Sequence, residues 1–242
     1  MIQINKSHTT IPPILLIDGL SATAKHITDY NAGTRRFKFD NKIYGDKSVK
    51  NELIKIQKDK CCFCERKVSA GEPGHIEHYR PKAGYKKDDK SKIVKPGYYW
   101  LTYDFSNLFY SCNRCNTSYK KNYFPLADET QRATDHHGNI AAEDPLIISP
   151  IEASSPHLFY NREKIKPKLK SIKGRETIKR TGLNRKALVQ ERLEYLKILD
   201  TLAKVANGTG PEAKEAQDHF KRISKKNSVF SYLVICNFPS LV

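Results

Sequence analysis

Two Cys-x-x-Cys pairs, Cys61/Cys64 and Cys112/Cys115, constrain this chain more than any other feature of it. Two residues between cysteines let one tight turn aim both thiolates at a single ion, and two such pairs can close a tetrahedral four-thiolate zinc site. A closed site offers no position to water or substrate, so its role is structural: it clips residues 61–64 to residues 112–115 and fixes what lies between. Cys62 sits next to Cys61 and two positions from Cys64, poor spacing for a ligand, and reads as a small buried residue; its replacing Cys61 in the set is the lesser alternative. Cys236 stands alone in an apolar tail and reads as packing. A redox role would need one reactive pair beside a βαβ unit, which two pairs around a basic insert fit poorly. The early apolar run Ile14-Leu15-Leu16-Ile17 is too short for a signal peptide and sits behind Pro12-Pro13. The expected setting is therefore the cytoplasm, where thiols stay reduced.

Charge organises the rest. The 242 residues carry 43 Lys and Arg against 26 Asp and Glu, a net +17, with 38% hydrophobic residues, enough for a core. No apolar run approaches the roughly 18 residues of a membrane span. Residues 127–150 carry one basic and five acidic groups and separate two basic blocks. This divides the chain into an N-terminal arm (1–45), a core (46–126), an acidic joint (127–150) and a basic, mainly helical C-terminal region (151–242). A surplus of this size suits a polyanion, because lysines that neutralise phosphates release counterions, but it also suits a merely soluble surface. Spacing has to decide.

Ser48–Lys60, with Val49, Leu53, Ile54 and Ile56, predicts an amphipathic helix leading into the first cysteine pair. Tyr98–Phe109, rich in aromatic and β-branched residues, reads as partly extended. Glu176–Arg180 reads as helical with Gly182 as its stop, and Asn184 as the cap of a further helix through Asn207. Leu188, Tyr195, Leu199, Leu202 and Ala206 would line that helix's core face. Val229–Val242 reads as a docking strand or partner contact.

Inside the clip lies Gly74-His75-Ile76-Glu77-His78-Tyr79-Arg80-Pro81-Lys82, then Tyr99-Trp100-Leu101-Thr102-Tyr103-Asp104-Phe105-Ser106-Asn107-Leu108, then Cys112-Asn113-Arg114-Cys115-Asn116. Phosphodiester hydrolysis needs an activated water, stabilised charge on phosphorus, and help for the departing oxygen. A divalent ion supplies the last two. The Glu77 carboxylate and Asn116 carbonyl are hard ligands suited to Mg²⁺ or Mn²⁺. His78 is the natural base near neutral pH, and the Asn107 amide can hold the imidazole or adjoining backbone. His75 can be a further catalytic group, binding metal or phosphate, or a strand histidine satisfied by backbone. In an extended strand His75 and Glu77 share one face and His78 takes the other. Arg80, Lys82, Arg114, Lys120 and Lys121 flank the series as phosphate contacts, which give register without sequence information. Lys86-Lys87-Asp88-Asp89-Lys90 reads as a solvated loop.

This series resembles the HNH endonucleases, the ββα-metal or His-Me finger group. Within them it is most similar to the PtuB-like nuclease subunits of Septu and some retron anti-phage systems, through its Glu-His-x-x-Pro-Lys and Tyr-Trp-Leu-x-Tyr-Asp segments. The likeness covers about residues 55–126 and continues more weakly through Glu143-Asp144-Pro145-Leu146 and Thr181-Gly182-Leu183-Asn184-Arg185. It implies an α+β fold with a zinc-stapled ββα nuclease core. It also implies Glu77 and Asn116 as ligands of the catalytic ion, His78 as general base and Asn107 as orienting residue. Many HNH enzymes have Asp where this chain has Glu77, so a water can bridge the longer side chain to the ion. The resemblance further implies DNA as substrate, an anti-phage role, and a PtuA-like ATPase partner, with a retron in some systems. The competing reading is a non-catalytic zinc-stabilised module that binds nucleic acid or serves assembly. It keeps the cysteines and the charge but leaves Glu77, His78 and Asn116 without a task.

Overall fold

The structure, a computed structural model, describes residues 1, 3–7, 9–71 and 73–242. It is α+β, with helices arranged around two small antiparallel ribbons. The N-terminal part holds α1 (Leu20–Asn31), α2 (Asn41–Tyr44) and α3 (Lys47–Gln57). Asp46 caps α3 by accepting from the Ser48 N–H at 2.7 Å, and Val49 and Leu53 bury one face, as the periodicity predicts. The helix ends on Lys58 in the left-handed region (φ 54°), which turns the chain into the first cysteine pair. Gln57 fastens it to the sheet: its Nε2 donates to the Tyr110 carbonyl at 2.7 Å and its Oε1 accepts from the Tyr110 N–H at 2.8 Å.

Strand β1 (His75–His78) pairs with β2 (Leu108–Ser111), His75 opposite Ser111 and His78 opposite Leu108. Gly74 sits where any Cβ would enter the Tyr110 ring, at 2.2 Å, so the ring lies flat over the strand's start. Tyr98–Phe109 is less extended than its composition predicts. Two 3₁₀ turns, Tyr99–Leu101 and Phe105–Asn107, precede the strand. The aromatic residues there fill the core, and Asp104 imposes the second turn by accepting from the Ser106 N–H at 2.8 Å. A wide, π-helical segment, Arg114–Lys120, follows β2.

Residues 127–150 are pinned through a buried carboxylate. Glu143 accepts from Arg80 Nε at 2.9 Å, from the Tyr98 hydroxyl at 2.7 Å and from the Ala133 N–H at 3.1 Å. Beyond it, β3 (Leu158–Asn161) and β4 (Lys164–Pro167) form the second ribbon, followed by α4 (Ile172–Thr181), α5 (Lys186–Ala206), α6 (Pro211–Ile223) and α7 (Ser231–Asn237). Gly182 ends α4 at φ 62°, and a Cβ there would stand 2.5 Å from the Tyr119 ring, so the end of α4 abuts the π-helical segment. Leu188, Leu199 and Ala206 are buried along α5, with Tyr195 and Leu202 packed beside them.

Two expectations are corrected. Asn184 does not cap α5; its side chain bonds both backbone groups of Ile165, at 3.0 and 2.8 Å, and joins the helix pair to β4. A side-chain amide can match a backbone peptide group on both sides, and here that outcompetes capping. The apolar tail is not a free docking strand. It folds into α7, whose Ser231, Tyr232, Leu233 and Val234 are buried in the main core. Among the described residues, no helix is long and apolar enough to cross a membrane.

His26 in α1 is buried against Phe37, Phe39 and Tyr103. Its Nε2 donates to the Lys38 carbonyl at 3.2 Å, while Nδ1 has no partner. Burial, above all, lowers its pKa below 6.5. A histidine kept neutral in the fold but free to protonate when unfolded adds stability that is whole above pH 6.5 and is lost as pH falls below it. The melting temperature should therefore drop between pH 6.5 and 5, and the drop should be shallower in His26→Phe. Parallel thermal melts of the two proteins check this, and equal slopes would refute it.

Candidate metal centre and active site

The turn after α3 places Cys61 and Cys64, while Cys112 follows β2 directly and Cys115 lies in the first turn of the π-helical segment. Pairing of the Cys61 N–H with the Arg66 carbonyl at 2.9 Å closes the first turn. All four sulfur atoms lie within 4.8 Å of one another and all four residues are buried. The Cys64 and Cys112 sulfurs stand 3.8 Å apart, the separation expected of ligands at about 2.3 Å around a tetrahedral ion. The set can hold a metal ion such as zinc. Cys62 is buried outside it, its N–H donating to the Tyr110 carbonyl at 3.0 Å. Crowded thiols cannot all ionise unaided. Hydrogen bonds from Cys112, Cys115 and Cys61 pull Cys64 well below its ordinary range, while burial pushes Cys61 well above it. A dication resolves that conflict.

Arg185, in the bend between α4 and α5, caps the cluster. Its Nη1 lies 3.4 Å from the Cys115 sulfur, and its Nη2 lies 3.8 and 4.0 Å from those of Cys64 and Cys112. Four thiolates around a dication leave a net charge of about −2, and the guanidinium offsets part of it. Arg185 closes the Thr181–Arg185 segment of the resemblance, but no local rule gives it this role, because its contact spans 70 residues or more.

Beside this centre, β1 floors a groove of about 530 Å³ whose walls include His75, Glu77, His78, Lys82, Asn116 and Lys121. Strict alternation would turn His78 away from Glu77. The strand stops at His78, however, and both reach the groove. The His78 ring is buried; its Nε2 lies 3.0 Å from the Thr102 carbonyl, which fixes the proton on that nitrogen. Nδ1 is then the basic nitrogen, and the Lys82 ammonium lies 3.3 Å from it. Tyr44, from α2, meets the ring edge-on at 4.8 Å between centroids. Burial first, and the neighbouring Lys82 second, hold His78 well below the usual imidazole range.

Glu77 is buried, and its Oε1 stands 3.1 Å from the wholly buried Lys120 ammonium. The two are close enough for charge pairing, but the angle makes no hydrogen bond, so both atoms keep unused bonding capacity. Burial raises the Glu77 pKa, and Lys120 and Lys82 pull it back.

Asn107 lies behind the groove. Its amide donates to the Arg80 and Leu101 carbonyls at 3.0 and 3.1 Å and accepts from the Arg80 N–H at 2.7 Å. It thereby locks the backbone that leaves His78, while Thr102 orients the ring. Arg80 is turned to Glu143 and to the Ile140 carbonyl, at 2.9 and 3.2 Å. Lys120 is drawn inside against Glu77, while Lys121 and Arg114 are exposed.

No family model matches the chain. Over 169 residues it is 39% identical to the Septu protein PtuB of Bacillus mycoides (strain KBAB4). The chain is a relative of PtuB. The match takes in 69% of this chain, and the chain spans little more than half, 57%, of PtuB.

If the cysteine cluster holds zinc, the purified chain should contain one zinc per molecule by elemental analysis. Cys112→Ser should lose it and melt at lower temperature, and Cys62→Ser should keep it. Retention of zinc by Cys112→Ser would refute the four-cysteine assignment.

Proposed function

We propose that this chain is an HNH endonuclease that hydrolyses phosphodiester bonds in DNA with a divalent ion. We further propose that it is the nuclease component of a cytoplasmic anti-phage complex with a PtuA-like ATPase, and with a retron where one is present. The observation that carries the reading is the pairing of an oriented, neutral imidazole with a buried carboxylate at a groove edged by lysines. A carboxylate buried without a complete set of hydrogen bonds is costly, and a chemical task is a reason for the fold to keep it.

The donor set fits a hard divalent ion. Glu77 lines the groove with its Oε1 turned to the Lys120 ammonium, which leaves Oε2 as the oxygen for an ion, and the Asn116 amide lines the same groove. These two would hold Mg²⁺ or Mn²⁺, with His75 as a further donor from the same strand. When bound, the ion would supply Lewis-acid stabilisation of charge at phosphorus and at the departing oxygen. His78 Nδ1 accepts from the Lys82 ammonium at 3.3 Å, and when Lys82 turns to a phosphate that lone pair is released to take the proton from the attacking water. Lys82 stands 3.3 Å from that nitrogen, so a phosphate held by Lys82 lies beside the base. Asn107 acts on the backbone, holding the exit from β1 so that neither His78 nor Arg80 shifts. Lys121 and Arg114, at the surface, supply phosphate contacts that position the strand. A gating partner is in keeping with the site: among the described residues no helix-turn-helix or other reader of base edges accompanies it, and an unspecific nuclease left active would cut its own cell's DNA.

Plasmid DNA incubated with the chain, alone and with its ATPase partner, in Mg²⁺ or Mn²⁺ tests the reading. Nicking or cutting is expected, with a loss of about 10²–10⁴-fold in His78→Ala, the usual worth of a general base. Zinc content and melting temperature should be unchanged. Equal cleavage by both proteins would remove His78 from the mechanism. No cleavage under any of these conditions would favour the non-catalytic binding module.

A further inference from the structure

The ribbon β3–β4 carries a row of lysines that the groove does not use. In its register Tyr160 faces Ile165 and Leu158 faces Pro167, and this face packs inward, with Leu158, Tyr160 and Ile165 buried. The other face sets Phe159 opposite Lys166 and Asn161 opposite Lys164. Lys164, Lys166, Lys168 and Lys170 are all exposed, and among the described residues none makes an ion pair or side-chain hydrogen bond. Their neighbours differ: Arg162 is paired with Asp200, Lys173 with Glu152, and Lys179 and Arg180 with Asp89. Residues 159–170 hold five basic groups against one acidic, Glu163.

Alternate residues of a strand on one face are about 6.6 Å apart. Lys164, Lys166 and Lys168 keep that alternation, because the Lys168 N–H still pairs with the His157 carbonyl at 2.8 Å. Phosphates of one duplex strand advance by about 3.4 Å each along the axis while winding around it, so neighbouring phosphates stand roughly twice that far apart, the scale of the lysine row. The ribbon is also mechanically tied to the groove. Helix α4 leaves it at Ile172 and ends at Gly182 against Tyr119 of the π-helical segment. Ten helical residues span about 15 Å, or four to five base pairs of duplex.

We propose that β3–β4 is a second DNA-contact surface, which lays Lys164, Lys166, Lys168 and Lys170 along the phosphate backbone of the duplex whose scissile bond enters the groove. The proposal deepens the nuclease reading and rests on it for its ligand. It assigns the ribbon to affinity and register, since lysine contacts to phosphate carry no base information.

Fluorescence anisotropy of a labelled 30-base-pair duplex tests it, with no divalent ion added so that binding is read without cleavage. The full chain is compared with a variant in which all four lysines are Gln, and with a control replacing exposed Lys204 on α5, Lys214 and Lys221 on α6, and Lys226 in the turn after α6 by Gln. Both variants lose the same charge from exposed positions, and thermal melts establish that both are folded. The ribbon variant should lower the slope of log Kd against log salt by about 3–4, at about 0.9 per phosphate contact. The control should leave the slope within about one. Equal slopes in wild type and ribbon variant would overturn the proposal, as would equal losses in the two variants. So would an unchanged slope together with lysine-dependent binding to phosphatidylserine vesicles, which would assign the ribbon, with exposed Leu169 and Ile172, to a membrane surface. Cleavage of plasmid is scored separately: cleavage that persists while the ribbon variant binds like wild type sinks this inference and leaves the nuclease reading in place.

Discussion

The approach of residues 61–64 to residues 112–115 is the constraint on which the groove depends. Closing a loop of about fifty residues costs about 3–4 kcal/mol beyond a constant, and that cost grows only with the logarithm of length. A dication bound by four thiolates, worth an apparent 10–16 kcal/mol in small zinc modules, exceeds it comfortably. The closure is also geometrically economical. Ser111, the last residue of β2, pairs with His75 and precedes Cys112, while Asn116 follows Cys115. The residues that hold the cluster are thus chain neighbours of those that line the groove, and Gln57 adds a bond from α3 to the same strand. Arg185 then couples the C-terminal helices to this centre through charge, and Gly182 does so through close packing on Tyr119.

The buried pair of Glu77 and Lys120 is poor evidence of stability. Moving two charges out of water costs several kcal/mol each, and mutual attraction repays this fully only when hydrogen bonds complete the geometry. Here they do not. Well-packed apolar residues of similar volume would serve the fold as well or better. The pair sits beside a groove where a carboxylate, an imidazole and an amide converge, and this location argues for a chemical task. Its cost falls on a region that the cysteine cluster has already made rigid.

How much of this could be read in the sequence depends on the range of each interaction. The cysteine pairs, α3 and the end of α4 at Gly182 follow from spacing, periodicity and backbone preference within a few residues. The gathering of His75, Glu77, His78 and Asn116 was legible because the motif encodes it at short range on each side of the clip. Asn184 misled because capping is a local rule, whereas its partner Ile165 lies 19 residues away. The tail misled because an exposed strand and a buried short helix have the same apolar composition. Thr102 could not have been found at all: it orients His78 through its carbonyl, a group that every residue carries.

The lysines show the same limit most clearly, because net charge treats them alike and the fold does not. Lys120 is wholly buried against Glu77; Lys60 donates to the Ser228 carbonyl at 2.8 Å. Lys6 donates to the carbonyls of Phe105 and Leu108 at 2.6 and 2.5 Å, and burial lowers its pKa to about 7. These ammonium groups anchor backbone and carboxylates inside the protein and add little to the field felt by a distant polyanion. Arg80 and Arg132 are likewise spent on Glu143 and Glu129. The attraction expected of a net +17 must therefore come from the unpaired surface lysines, while Lys82 occupies the boundary between the two populations. It is partly buried, stacked at 4.7 Å over Tyr44 and 3.3 Å from His78 Nδ1, so it keeps a cation at the edge of the groove rather than in the field far from the surface.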